Sequence, residues 1–192
     1  MRDNLRFLTT FMRHPVTTGA IAPSSRALAE HMADDMGIEH ADTVVELGPG
    51  TGAFTRVIET RLRPEALYLA LELDRGFAGT LARRFHRVEI INDSAVNLVE
   101  HLESRGRGHA DAVICGLPWA VFPPELQEAI LSAVVRGLRP GGRFATFAYV
   151  HAAWFPMARQ FHRRLASRFG KVTRTPVVWR NVPPAFIYRC ER

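Results

Sequence analysis

Residues 43–52 read Thr-Val-Val-Glu-Leu-Gly-Pro-Gly-Thr-Gly, and the fold turns on this stretch. Thr43 to Leu47 is β-branched and apolar, with polar Asp42 before it and glycines behind. That is the pattern of a short parallel strand buried on both faces. Gly48, Gly50 and Gly52 let the backbone turn tightly and approach a ligand where a Cβ would collide. Helical spacing resumes at Ala53 and runs to Leu62, so a ligand on the loop would meet the free N–H groups of a helix start. Glu46, at the strand's end, is expected to put a carboxylate into the same crevice.

Two kinds of nucleotide fit such a loop. Gly48-x-Gly50-x-x-Ala53 matches the dinucleotide fingerprint, and Glu72, about 20 residues on, matches its ribose acid. The carboxylate of Glu46 would repel a pyrophosphate, whereas it would attract a sulfonium ion and an amino group. Glu46-x-Gly48-x-Gly50-x-Gly52 after a strand resembles motif I of the S-adenosylmethionine-dependent methyltransferases. The resemblance implies that Glu46, Gly48, Pro49, Gly50 and Gly52 surround S-adenosylmethionine, with S-adenosylhomocysteine as product.

A chain of 192 residues with 47% hydrophobic content is enough for one domain with a sizeable core. No apolar run approaches the length of a membrane span, and the start lacks a signal peptide's apolar core. A cytoplasmic protein is expected. Two cysteines, Cys115 and Cys190, make no disulfide framework, and no Cys/His cluster has zinc spacing. No metal is expected. The formal net charge of +6 and a pI near 10.3 favour a polyanionic partner, nucleic acid or an anionic lipid surface.

Residues 3–13 form a candidate amphipathic helix. Leu5, Phe7, Leu8, Phe11 and Met12 fall within an arc of roughly 160° in helical projection, and Arg2, Arg6 and Arg13 lie together opposite, inside roughly 40°. Such a face either lies in a membrane interface or packs on the protein's own core. Near an anionic leaflet each arginine is worth about 1 kcal/mol. A helix this short is marginal alone in water, so reversible recruitment to lipid is the expectation. Thr17 to Ser25 is turn-rich and leads into a second helix, roughly Ser25 to Met36, with Ser24 or Ser25 as N-cap and Gly19 as hinge of a lid over the cofactor.

The remainder alternates strands and helices. Ala66 to Leu73 is strand 2, and Glu72 at its end can accept from both ribose hydroxyls, because ligands of doubly wound sheets lie outside the strands' carboxyl ends. Leu73 adjoins it, and Asp74 is read as cap of the helix Arg75 to Phe85. Val88 to Ile91 is strand 3; behind it Asp93, with Ser94 and Ala95, is placed to accept from an adenine amino group or to cap the helix Ala95 to Glu103. Ala110 to Cys115 is strand 4, and Gly116-Leu117-Pro118-Trp119 follows it at the switch point, where Gly116 is expected to adjoin the cofactor. Pro123-Pro124 opens a helix to Gly137, and Arg143 to Val150 is strand 5. Lys171 to Trp179 and Ala185 to Cys190 read as a final hairpin at one sheet edge.

Ile21-Ala22-Pro23-Ser24-Ser25, the motif at 44–52, Gly116-Leu-Pro-Trp119 and Trp179-Arg-Asn-Val-Pro-Pro-Ala-Phe186 together resemble the bacterial phospholipid N-methyltransferases of the Rhodobacter type. The resemblance spans essentially the whole chain. It implies an α/β, Rossmann-like class I methyltransferase. Its sheet would have seven mostly parallel strands, an antiparallel last strand, helices on both faces and extra N-terminal helices. Residues 1–192 would form a single domain, 1–36 being membrane-binding and lid helices and 41–192 the core. The implied reaction converts phosphatidylethanolamine stepwise to phosphatidylcholine at the inner face of the cell membrane, by a monomer bound peripherally to an anionic surface. The family also resembles the ribosomal RNA adenine dimethyltransferases, which carry Asn at the position of Gly116. A glycine there has no side chain to hold adenine, so nucleic acid is the second choice.

Methyl transfer to nitrogen is an in-line displacement, and the amine must first lose its proton. Tyr149 and His151 are the candidate acceptors by position. Pro118, Trp119, Trp154 and Asn181 are read as substrate contacts, the tryptophan rings attracting a cationic head group. Arg180 is read as the ligand of a lipid phosphate.

Overall fold

The computed structural model describes residues 24–154 and 156–192. The expected helix at 3–13 and the lid at 17–23 fall outside them, so Leu5, Arg6, Phe7, Leu8, Phe11, Met12 and Arg13 are not placed. Among these residues seven strands form one sheet: β1 (Thr43–Leu47), β2 (Leu67–Leu71), β3 (Glu89–Ile91), β4 (Ala110–Cys115), β5 (Leu138–Tyr149), β6 (Lys171–Arg174) and β7 (Ala185–Glu191). Their order is β3-β2-β1-β4-β5-β7-β6. The first five are parallel, and β7 runs antiparallel to both β5 and β6. The chain order reverses between β1 and β4, which makes their carboxyl ends the place for a ligand.

Among the described residues, six helices cover the two faces: α1 (Arg26–Ala33), α2 (Ala53–Arg61), α3 (Arg75–Arg84), α4 (Leu98–Glu103), α5 (Pro124–Gly137) and α6 (Pro156–Ala166). Successive strand residues point to opposite faces, and β1 shows the result. Val44 packs with Leu28 of α1, Ile58 of α2 and Leu81 of α3. Val45 and Leu47 pack on the other face with Leu98 of α4, Ile130 of α5 and Leu165 of α6. A central strand enclosed on both sides buries every residue, and for that reason residues 43–47 show no alternation of buried and exposed positions; Glu46 is the one charged residue among them.

The last strands depart from expectation. β6 ends at Arg174, because Pro176 cannot donate to a ladder, and Val178 returns only as an isolated bridge to Ala185. β5 begins early, at Leu138, and takes the Gly141-Gly142 turn into itself. Its register against β4 jumps from Ala110↔Leu138 to Ala112↔Arg143.

Phe144 of β5 lies stacked on Phe169, with ring centroids 5.5 Å apart, and joins the sheet to the turn after α6. Replacing it with alanine should cost about 3–5 kcal/mol through lost burial and a residual cavity. The check is a lowered denaturant midpoint at unchanged slope.

Candidate active site

The loop after β1 owes its shape to three glycines, all with positive φ: Gly48 at 69°, Gly50 at 55° and Gly52 at 81°. Their packing corrects the sequence reading. A Cβ on Gly48 would lie 2.6 Å from Leu117, and one on Gly52 would lie 2.6 Å from the Phe85 ring. Those two let the protein close on itself. Only Gly50 has an open side, with nothing within 4 Å of a Cβ built there. Pro49 is buried, and its carbonyl accepts from Gly52 N–H at 2.9 Å.

Glu72 follows β2 and is wholly buried. One carboxylate oxygen accepts from Gly50 N–H and the other from Asp74 N–H, each at 2.9 Å. Burial raises its pKa, and those two backbone hydrogen bonds oppose the rise. Each oxygen keeps further lone-pair capacity for hydroxyl donors. The Gly50 amide, which a pyrophosphate on this loop would need, already has a carboxylate on it. Asp74 caps α3 as expected, accepting from Gly76 and Phe77 N–H at 2.8 and 3.0 Å.

Glu72, Leu73, Asp93, Ser94, Ala95 and the backbone of Gly48 line one cleft, walled by Leu71, Leu117, Phe122 and Ile130. Ser94, not Asp93, caps the short 3-10 turn that precedes α4, accepting from Val96 N–H. Asp93 accepts from Ser94 N–H at 2.7 Å, from Asn97 at 3.0–3.1 Å and from His101 Nε2 at 2.8 Å. Partial burial pushes its pKa up, but these hydrogen bonds outweigh it and hold the carboxylate below its ordinary range. Asn92, which sequence reading missed, donates to the carbonyls of Glu72 and Leu73 at 2.9 and 3.0 Å and so fixes the strand end that carries the acid.

Opposite, Gly116 N–H donates to Leu47 O at 2.8 Å. A Cβ on Gly116 would lie 2.7 Å from Gly48 O and 3.2 Å from the Phe54 ring. Pro118 is half-buried and accepts from Val121 N–H at 3.1 Å. Trp119 corrects the sequence reading: its ring is buried against Phe161 at 4.8 Å, and its N–H donates to Thr146 Oγ1 at 2.7 Å. It is part of the core and offers no face to a head group. Gln127 was also missed. It is buried and donates to the carbonyls of Trp119 and Phe122 at 2.8 and 3.0 Å while accepting from Arg164 at 2.6 Å. A lone amide on the apolar side of a helix was its only signal in the sequence.

Beyond β5, rings run in a line: Phe54 against Phe147 at 5.9 Å, Phe147 against Tyr149 at 5.4 Å, and Tyr149 stacked on His151 at 5.6 Å. Burial pushes the Tyr149 phenol up to about 12, so it keeps its proton at neutral pH. His151 is exposed at the end of the line. Trp154 and Arg180 are exposed. Asn181 is buried; its oxygen accepts from Ser25 N–H at 2.9 Å and its amide donates to Pro183 O at 2.7 Å. It ties the last loop to the start of α1 and is not free for substrate.

A methyltransferase-domain family matches residues 44–142, which run from β1 into β5. The chain belongs to the class I S-adenosylmethionine-dependent methyltransferases. It is 35% identical to a protein of Singulisphaera acidiphila named ornithine lipid N-methyltransferase, over 99% of this chain and 96% of that one. It is 30% identical to a ribosomal RNA small subunit methyltransferase A of Thermosynechococcus vestitus, over 71% of this chain but 46% of that one. Among solved structures it is similar to an O-methyltransferase of tomaymycin synthesis from Streptomyces achromogenes, in complex with S-adenosylmethionine. There the TM-score is 0.67 at 20% identity, over 98% of this chain and 89% of that one. An O-methyltransferase of Bacillus cereus, in complex with S-adenosylhomocysteine, gives 0.66 at 15% identity, over 99% and 90%.

The cleft of this methyltransferase fits the cofactor that the fold binds. Its single buried acid, Glu72, suits a ribose diol, its apolar walls suit a purine, and the open side of Gly50 leaves room beside the acid. When bound, S-adenosylmethionine supplies a methyl group on a sulfonium. Glu46 does not line this cleft. It is sealed on the α1–α3 side of β1, where one oxygen accepts from Thr55 at 2.8 Å and from Tyr68 at 2.5 Å and the other has no partner among the described residues. Even spacing along β1 decides this, because Glu46 shares its face with Val44. Burial pushes its pKa up to about 7.

Two predictions follow from these carboxylates. Glu72→Ala should weaken S-adenosylmethionine binding at least about tenfold, since a hydrogen bond to a charged group is worth about 1.5–3 kcal/mol. Asp74→Ala should cost about 1 kcal/mol of stability through its lost cap and leave affinity nearly unchanged; titration calorimetry on both variants separates the roles. Glu46 has a folded pKa above its usual 4.5. Its contribution to stability is therefore complete below about pH 4.5 and is lost as pH rises through about 7. Glu46→Gln should abolish that loss, on the order of 3 kcal/mol, measured as unfolding free energy against pH.

Proposed function

We propose that this methyltransferase transfers the methyl group of S-adenosylmethionine to the primary amine of a membrane lipid. The substrate we infer is phosphatidylethanolamine, methylated stepwise toward phosphatidylcholine. The observation that carries the lipid reading is the full-length match to a lipid N-methyltransferase. The same match favours a second substrate, an ornithine lipid, which also presents a primary amine. Acceptors of either kind reach the cleft from a membrane, and the enzyme would work peripherally on its inner face.

The chemistry asks little of the protein beyond placement and a proton acceptor. His151, exposed at the end of the ring line, is the acceptor in this proposal. The faces of Tyr149 and Trp154 attract the ammonium, at about 0.5–2 kcal/mol each, and Arg180 holds the lipid phosphate. Against the RNA alternative stands the packing at Gly116. An asparagine there would drive its Cβ to 2.7 Å from the Gly48 carbonyl, so this chain has no space for the side chain that holds adenine in the RNA enzymes.

The test is to incubate the full chain with labelled S-adenosylmethionine and, in parallel, with vesicles containing phosphatidylethanolamine, vesicles containing ornithine lipid, and ribosomal particles. Label is expected in phosphatidylethanolamine. Label in ornithine lipid alone moves the substrate to the second reading, and label in RNA alone overturns the proposal.

A further inference from the structure

Four large apolar side chains stand out of the surface among the described residues: Trp154 is 82% exposed, Trp179 73%, Val182 73% and Met157 50%. Single exposed apolar residues are ordinary, but these are gathered. Tyr149 pairs with Ala185, and Val150 N–H donates to Pro184 O at 2.9 Å. The turn that carries Trp154 and the loop that carries Trp179 and Val182 therefore leave adjacent strands at one end of the sheet. That end is the carboxyl end of β5, shared with β1 and β4, where the cofactor cleft opens.

Charge accompanies the apolar groups. From Ala129 to Cys190 the chain contains no aspartate or glutamate, and Arg159, Arg163, Arg174 and Arg180 on this stretch are exposed. Tryptophan with aliphatic neighbours and arginine is the composition of a surface that enters a membrane interface and meets anionic head groups. A nucleic acid would use the arginines but would gain nothing from Val182 and Met157.

We propose that this rim is the face by which the methyltransferase docks on an anionic bilayer, with Trp154, Trp179 and Val182 entering the interface. Docking this way turns the mouth of the cleft toward the lipid, so an amine head group is reached without leaving the membrane. The inference rests on the lipid reading above for its purpose. The chain also enters the fold beside this loop, since Ser25 N–H donates to Asn181.

The test uses the full chain and vesicles of phosphatidylglycerol and phosphatidylcholine in equal parts, with brominated acyl chains. The protein has three tryptophans; Trp119 is buried, so quenching of emission by the bromines reports Trp154 and Trp179. Quenching is expected. The double variant Trp179→Ser/Val182→Ser should lose about tenfold or more in vesicle affinity, with thermal unfolding and S-adenosylmethionine affinity unchanged. It should still methylate lipid dispersed in detergent while failing on vesicles. Three outcomes overturn the docking face. One is tryptophan emission that the bromines do not reach. Another is a double variant that unfolds earlier yet binds vesicles as before, which would mean that the chain's own amino-terminal residues cover the rim. The third is displacement of vesicles by a homopolymeric RNA that the double variant binds equally weakly. Should wild type methylate no lipid in either form, the lipid reading fails, while the quenching result still decides the docking face.

Discussion

The tightest constraint in the molecule is the approach of two loops at the switch point between β1 and β4. Gly48 and Gly116 face each other so closely that a Cβ on the second would meet the carbonyl of the first at 2.7 Å, and a Cβ on the first would strike Leu117. This contact brings the loop after β4 against the loop after β1, and the cleft lies between that pair and the end of β2. A methyl group on Gly116 would force backbone to move, because its obstacle is a carbonyl; one on Gly48 would strike the Leu117 side chain and sit at a positive φ of 69°. The cofactor cleft and the substrate approach are thus two sides of one close contact.

Electrostatics at the site is arranged around two buried carboxylates with different duties. Glu72 holds the Gly50 and Asp74 amides together and presents its remaining lone pairs to the cleft. Glu46, on the opposite face of β1, binds Thr55 of α2 and Tyr68 of β2. It braces the strand from behind at the cost of a raised pKa. The chain from Arg164 through Gln127 to the carbonyls of Trp119 and Phe122 plays the same bracing part for the loop after β4. It also connects that loop to α6, the helix that follows the exposed Trp154.

Much of this is legible in the amino-acid sequence. The parallel strands, their helices and the antiparallel ending follow from runs of β-branched residues, from helical periodicity and from Gly and Pro punctuation. The cap at Asp74 and the acid at Glu72 follow from their offsets to β2 and α3. Less legible was what each glycine avoids. Gly52 reads as a residue that admits ligand, but what it makes room for is the ring of Phe85, which lies just past the end of α3. Trp119 and Asn181 read as substrate contacts, yet Thr146 and Ser25 claim their polar atoms.

By itself, the sequence determined the strand-loop-helix at 43–61, the order of elements and the family, because these depend on local spacing and backbone preference. Tertiary structure alone decided which partners the buried acids find, which aromatic rings are buried, and that exposed apolar side chains gather where β5 ends beside β7. Those are relations between residues far apart in the chain, and spacing along the sequence does not contain them.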